Sequence, residues 1–101
     1  MADFVESKIN AHKIVVFSKT WCPYCTLAKK VLTSVGAKFE VVDLDELPNG
    51  DAIMEALEAK TGRDTVPNVF VDKESIGGGS DVEALHKQGK LVPLLQAHAA
   101  L

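Results

Sequence analysis

Long apolar runs are missing from this sequence: none approaches the roughly 18 to 20 residues that a bilayer-crossing helix requires. At the N-terminus, Asp3 and Glu6 interrupt the apolar residues, so the uninterrupted core of about 7 to 15 residues that marks a secretory signal is absent. An Arg- and Ser-rich, acid-poor transit segment is absent too, and the cytosol is the expected compartment. A surplus of positive charge is also lacking. Eleven basic and fourteen acidic residues leave a formal charge of −3, with no clustered Lys and Arg to neutralise phosphates, which argues against nucleic acid as a partner. Internal repeats and low-complexity tracts do not occur. Cysteine is scarce: there are two, and no second pair.

The remaining composition, 47% hydrophobic and 25% charged, is that of an ordinary globular chain, and 101 residues suffice for one compact domain with a core, residues 1–101. Its pattern alternates between helical and strand-like segments. Residues 2–11 place Phe4, Val5 and Ile9 at helical spacing, and residues 13–18 form a short β-branched run like a buried strand. Leu27, Ala28, Val31, Leu32 and Val35 then recur every three or four residues until Gly36. Residues 38–44 read as a second strand. A Pro-Asn-Gly turn at 48–50 leads into a helix carrying Ile53, Met54 and Leu57 and stopped by Gly62. Residues 68–72 and 74–76 read as a hairpin turning near Lys73; residues 80–88 as a helix opened by Gly77, Gly78 and Gly79; and a last helix carries Leu91, Leu94 and Leu95. The order αβαβαββαα predicts an α/β fold, a small mixed sheet covered by helices on both faces.

The two cysteines, Cys22 and Cys25, flank Pro23 and Tyr24. Proline favours the first helical position, which puts Cys22 at or beside the N-cap. There the exposed N–H groups and the positive end of the helix dipole favour a thiolate, and Lys19 adds a cation, so Cys22 is expected to be the exposed nucleophile. Cys25, three residues on, shares the same side of the first turn, is deeper, and is expected to resolve the mixed disulfide that Cys22 forms. Two plainer uses fit less well. A structural zinc site needs more ligands, and His12, His86 and His98 are scattered without ligand spacing. A disulfide closing so short a loop removes little chain entropy and staples little.

Three blocks together resemble the dithiol glutaredoxins: Lys-Thr-Trp-Cys-Pro-Tyr-Cys at 19–25, Thr-Val-Pro-Asn-Val-Phe at 65–70 and Ile-Gly-Gly-Gly-Ser-Asp at 76–81. The likeness runs from the leading helix to Gly-Lys-Leu at 89–91. It implies the thioredoxin fold in compact form, a four-stranded mixed sheet flanked by about five helices. It also implies a glutathione-disulfide oxidoreductase that reduces protein–glutathione mixed disulfides, low-molecular-weight disulfides and protein disulfides. Glutathione is then the electron donor and binding partner, glutathionylated proteins are substrates, glutathione reductase serves indirectly, and no metal is expected.

The resemblance further implies a cis Val66–Pro67 bond facing the thiols, leaving the Val66 backbone free to pair with the extended cysteinyl unit of glutathione. The plain alternative for Pro67 is an ordinary turn proline, extended before it as any proline requires. By the same resemblance, the Ser80 and Asp81 amides take the γ-glutamyl carboxylate and the Asp81 side chain its ammonium; alternatively, Ser80 is simply an N-cap and Asp81 a first-turn acid. Lys19 and Arg63 are candidates for the glycine carboxylate at the other end, with Arg63 as a solvated surface charge the alternative. Tyr24, Thr65 and Gly78 would complete the groove. Arg63 stands where glutamine is frequent, Asp64 beside it offsets its charge, and Gly79 stands where several relatives carry a further cysteine. Trp21 is open between shielding the thiol and touching protein substrates. Two other functions remain as alternatives to a monomeric reductase: a glutathione-assisted iron–sulfur dimer built on Cys22, and a thioredoxin-like reductase served by a flavoenzyme. Pro23 and Cys25 weigh against the first, the charges of Lys19 and Asp81 against the second.

Overall fold

The computed structural model describes residues 1–101. Its helices are α1 (Ala2–Ala11), α2 (Pro23–Ser34), α3 (Gly50–Thr61), α4 (Gly79–Lys87) and α5 (Leu91–Ala97), and its strands β1 (Ile14–Ser18), β2 (Glu40–Asp43), β3 (Asn68–Val71) and β4 (Glu74–Gly77). The sheet order is β2-β1-β3-β4. β1 and β2 run parallel, joined through α2, while β1–β3 and β3–β4 are antiparallel.

β1 is buried along its whole length, as a central strand covered on both faces must be, which explains its unbroken β-branched and aromatic run. Alternate side chains divide between two cores. Ile14 and Val16 join Val31 and Leu32 of α2, Val82 of α4 and Leu91 and Leu95 of α5 on one face. Val15 and Phe17 join Val5 and Ile9 of α1 and Ile53 and Leu57 of α3 on the other. There Phe17 and Phe70 meet edge to face, ring centroids 5.6 Å apart.

Several boundaries differ from the sequence reading by one or two residues. β2 begins at Glu40, the residue opposite Val15; Lys38 and Phe39 have no partner in β1. Leu44, read as the end of that strand, instead starts a 3-10 turn, Leu44–Glu46, which still buries it. The α3 start then packs against this turn so closely that a Cβ on Gly50 would lie 2.2 Å from the Leu44 carbonyl oxygen, so only glycine fits. In the hairpin, Asp72 and Lys73 both adopt positive φ (48° and 75°), the two-residue turn that matches strand twist. Finally, α4 starts at Gly79 with Gly78 as N-cap, so Ser80 is not the capping residue.

No helix is long and apolar enough to cross a membrane.

Candidate active site

β1 ends at Ser18, and a short loop of Lys19, Thr20 and Trp21 delivers the chain to α2. The loop is held from the side: the Thr20 N–H donates to Asp45 in the 3-10 turn (3.0 Å), and the Thr20 hydroxyl donates to the second oxygen of the same carboxylate. The Thr20 hydroxyl, then its amide, hold the Asp45 carboxyl below the usual carboxylate range. Cys22 is the N-cap of α2, in an extended conformation, with Pro23 as the first helical residue.

The Cys22 sulfur accepts a hydrogen bond from the Cys25 N–H at 3.3 Å and lies 3.7 Å from the Val66 carbonyl oxygen, to which its thiol donates. The second contact explains a departure from expectation. Cys22 is not openly exposed: 7% of its surface is accessible, against 0% for Cys25, because the Val66–Pro67 loop stands against it. The expected order of exposure between the two sulfurs holds, and an attacking group can reach only Cys22. Both are free thiols. Burial, and next the hydrogen bond with Cys22, push the Cys25 thiol above its ordinary value, so Cys25 stays protonated where a solvated thiol begins to ionise.

The Val66–Pro67 bond is cis. Neither the N–H nor the C=O of Val66 makes a backbone hydrogen bond, so both remain available along the groove beside the sulfur. That groove, about 280 Å³, is lined by Tyr24, Arg63, Thr65, Val66, Pro67, Gly78, Gly79 and Ser80. At its far side the N–H groups of Ser80 and Asp81 precede the first intrahelical bond of α4, from the Val82 N–H to the Gly78 carbonyl (3.1 Å), and so have no backbone partner. The Asp81 carboxylate accepts from the Gly78 N–H at 2.8 Å. Gly77, at φ 113°, allows this turn: a Cβ there would lie 2.4 Å from an Asp81 carboxylate oxygen.

Seven of the residues expected from sequence thus line one groove, while Lys19 and Asp81 flank it. Lys19 is turned toward Trp21, with Nζ 5.5 Å from the ring centroid, and Trp21 is 69% exposed. Arg63, expected with Lys19 at the other end of the ligand from Asp81, is instead bonded to Asp81: Nη2 donates to the Asp81 carboxylate at 2.9 Å, and Nη1 donates to the Thr65 hydroxyl at 3.3 Å. Sequence reasoning also missed Asp45 and the fully buried Asn68. The Asn68 Nδ2 donates to the Thr61 hydroxyl (3.2 Å) and its carbonyl accepts from Ser75 (2.7 Å), tying the residue after Pro67 to α3 and β4. The one available signal was a polar residue opening an otherwise apolar buried strand.

The glutaredoxin family model matches residues 14–76, which include both thiols and the cis proline. The chain belongs to the glutaredoxin family. A glutaredoxin of Ricinus communis is 50% identical over 93 residues, 92% of this chain and 91% of its own. The chain is also similar in structure to a buckwheat glutaredoxin solved as a glutathione complex, with a TM-score of 0.94 at 42% identity over 99% of this chain and 91% of that one. The holo form of glutaredoxin C1 from Populus tremula x tremuloides gives a TM-score of 0.92 at 44% identity over 96% of both chains. The sheet and its five helices are therefore the thioredoxin fold, and this glutaredoxin is a thiol–disulfide oxidoreductase. An accessible sulfur at a helix start with a second in reach behind it, as Cys22 and Cys25 lie here, is an arrangement that thiol–disulfide exchange can use.

Proposed function

We propose that this glutaredoxin reduces protein–glutathione mixed disulfides, low-molecular-weight disulfides and protein disulfides with electrons from glutathione, acting as a monomeric single domain in the cytosol. The observation that carries this reading is the placement of the Cys22 sulfur between the α2 start and the Val66 carbonyl, at the edge of a groove ending on unpaired α4 amides. That the buckwheat relative was solved with glutathione supports it.

Glutathione would lie extended along the groove. Its cysteinyl unit pairs with the N–H and C=O of Val66, neither of which has a backbone partner, as an added strand does, and places its sulfur beside Cys22. The γ-glutamyl carboxylate takes the Ser80 and Asp81 amides and its ammonium takes the Asp81 carboxylate. Lys19 takes the glycine carboxylate, leaving the Trp21 ring to do so. Tyr24, Thr65, Pro67 and Gly78 form the walls.

The Cys22 thiolate attacks the glutathione sulfur of a mixed disulfide. The old S–S bond breaks, the substrate leaves as a thiolate and takes up a proton, and Cys22 carries the glutathione. A second glutathione thiolate then attacks that glutathione sulfur, giving glutathione disulfide and restoring the Cys22 thiolate. For a protein disulfide, Cys22 attacks one sulfur, and Cys25, after losing its proton, displaces the protein thiol to close the Cys22–Cys25 disulfide. Two glutathiones reduce that disulfide, and glutathione reductase recycles the product.

NADPH oxidation coupled through glutathione reductase tests the assignment, with a glutathionylated protein and a protein disulfide as substrates and thioredoxin reductase in a parallel assay. Cys22→Ser should abolish turnover of both substrates, whereas Cys25→Ser should spare deglutathionylation and lose protein-disulfide reduction. Turnover retained by the Cys22 variant, or supported only by thioredoxin reductase, contradicts the proposal.

A further inference from the structure

Ser18 places a hydroxyl at the end of a strand whose other residues are all apolar, and it is fully buried. Alternation along β1 turns it, with Ile14 and Val16, toward the face that α2 covers. Its hydroxyl donates to the carbonyl of the next residue, Lys19, at 3.3 Å, beyond the usual range of about 2.5 to 3.0 Å for such a bond. A buried hydroxyl held so loosely is free to turn to a better acceptor. Cys25, in the first turn of α2, is equally without exposure. Burial, then the hydrogen bond with Cys22, resist ionisation of its thiol, and two donors favour it: the Lys19 N–H, which has no backbone partner, and the Ser18 hydroxyl. The charge of Cys22 also opposes it. Asp43, opposite Ser18 in β2, is a carboxylate on the same face of the sheet, and Asp81 of α4 is engaged by Arg63 and the Gly78 N–H.

Once the Cys22 sulfur is tied into a mixed disulfide with a substrate, it can neither carry charge nor hold the Cys25 thiol. Burial then stands alone against the two donors. We propose that the Ser18 hydroxyl, together with the Lys19 N–H, holds the Cys25 sulfur as a thiolate for the resolving step, the hydroxyl turning from the Lys19 carbonyl to donate to the sulfur as its proton leaves. Charge-assisted hydrogen bonds replace the water that cannot reach the sulfur. The thiolate attacks the Cys22 sulfur, and the bond from Cys22 to the substrate sulfur breaks. The departing thiolate takes up a proton in place of the one that Cys25 released, so two protein thiols are oxidised and one disulfide is reduced. This role for Ser18 rests on Cys25 being the resolving thiol.

One equivalent of a dipyridyl disulfide, mixed rapidly with the reduced protein over a range of pH, separates the two steps. Attack by Cys22 releases a first coloured pyridinethione, and closure by Cys25 releases the second. Ser18→Ala should lower the ratio of the closing rate to the first rate about tenfold at neutral pH, as loss of a hydrogen bond to a charged group does, and should move the pH midpoint of closure upward. Above both midpoints the ratio should return to that of the parent, because a thiolate of higher basicity is no weaker a nucleophile. Ser18→Thr keeps the hydroxyl and should keep most of the ratio, whereas Ser18→Val, of the same shape, should not. That pair decides the matter if Ser18→Ala does not fold. An unchanged ratio in Ser18→Ala, a ratio lowered equally at every pH, or equal ratios in the Thr and Val variants would overturn the proposal. If Cys25→Ser still releases the second thione at the parent's rate, Cys25 is not the resolving thiol, and that role fails together with the one given to Ser18.

Discussion

Cys25 differs from Cys22 by burial rather than by type, and its raised ionisation is a direct consequence, since a thiolate without access to water loses its hydration. At neutral pH and with limiting reagent, iodoacetamide should therefore modify Cys22 and leave Cys25 untouched, as peptide mapping would read; equal labelling contradicts the geometry. Stability should respond as well. An unfolded thiol ionises at about 8.5, and folded Cys25 ionises higher, so between the two values the unfolded chain has released a proton that the native chain retains. Stability in reductant is therefore full below about pH 8.5 and falls as pH rises above it, and denaturant titrations of Cys25→Ser should lack that component. Trp21 offers a second residue-level test because it is the sole tryptophan. If glutathione draws Lys19 off its ring, titration with glutathione should change Trp21 emission, and Lys19→Gln should change the starting spectrum and abolish that response.

The positions of secondary-structure elements were legible where the signal was local. Periodic apolar residues bounded by Gly36 and Gly62 sufficed for α2 and α3, and Pro23 after Cys22 sufficed to put a thiol at a helix start. Contacts between elements were not legible. Nothing in the spacing of Thr20 and Asp45, 25 residues apart, announces that one clamps the other, because β2 and its 3-10 turn lie beside the loop only after β1 and β2 have paired. Arg63 and Asp81 are likewise brought together by the β3–β4 hairpin, which returns the chain from Pro67 to the start of α4. The Asp45 clamp predicts an acid response. Its folded ionisation is depressed, so its contribution is present above the unfolded value of about 3.9 and is lost as pH falls through the folded one. Asp45→Asn should show a shallower loss of stability below pH ~4 in acid unfolding; an unchanged acid limb would remove the clamp from the account.

Across the whole molecule, the two cores on opposite faces of the sheet explain how a small chain holds a reactive thiol at its rim. The faces of β1 are fixed by α1 and α3 below and by α2, α4 and α5 above, so the α2 start, the cis-proline loop and the α4 start meet at one end of the sheet without a dedicated scaffold. The class of fold followed from the order of elements, and the family from three separated blocks. What binds in the groove depends on where those blocks point, which only the packed molecule displays. The most direct measurement is mass spectrometry of the Cys25→Ser protein after acid quench of a single turnover with a glutathionylated protein. The account predicts an adduct of one glutathione on the peptide containing Cys22, together with substrate stripped of glutathione. An adduct elsewhere, a mixed disulfide between Cys22 and the substrate protein, or substrate reduced with no adduct formed would contradict it.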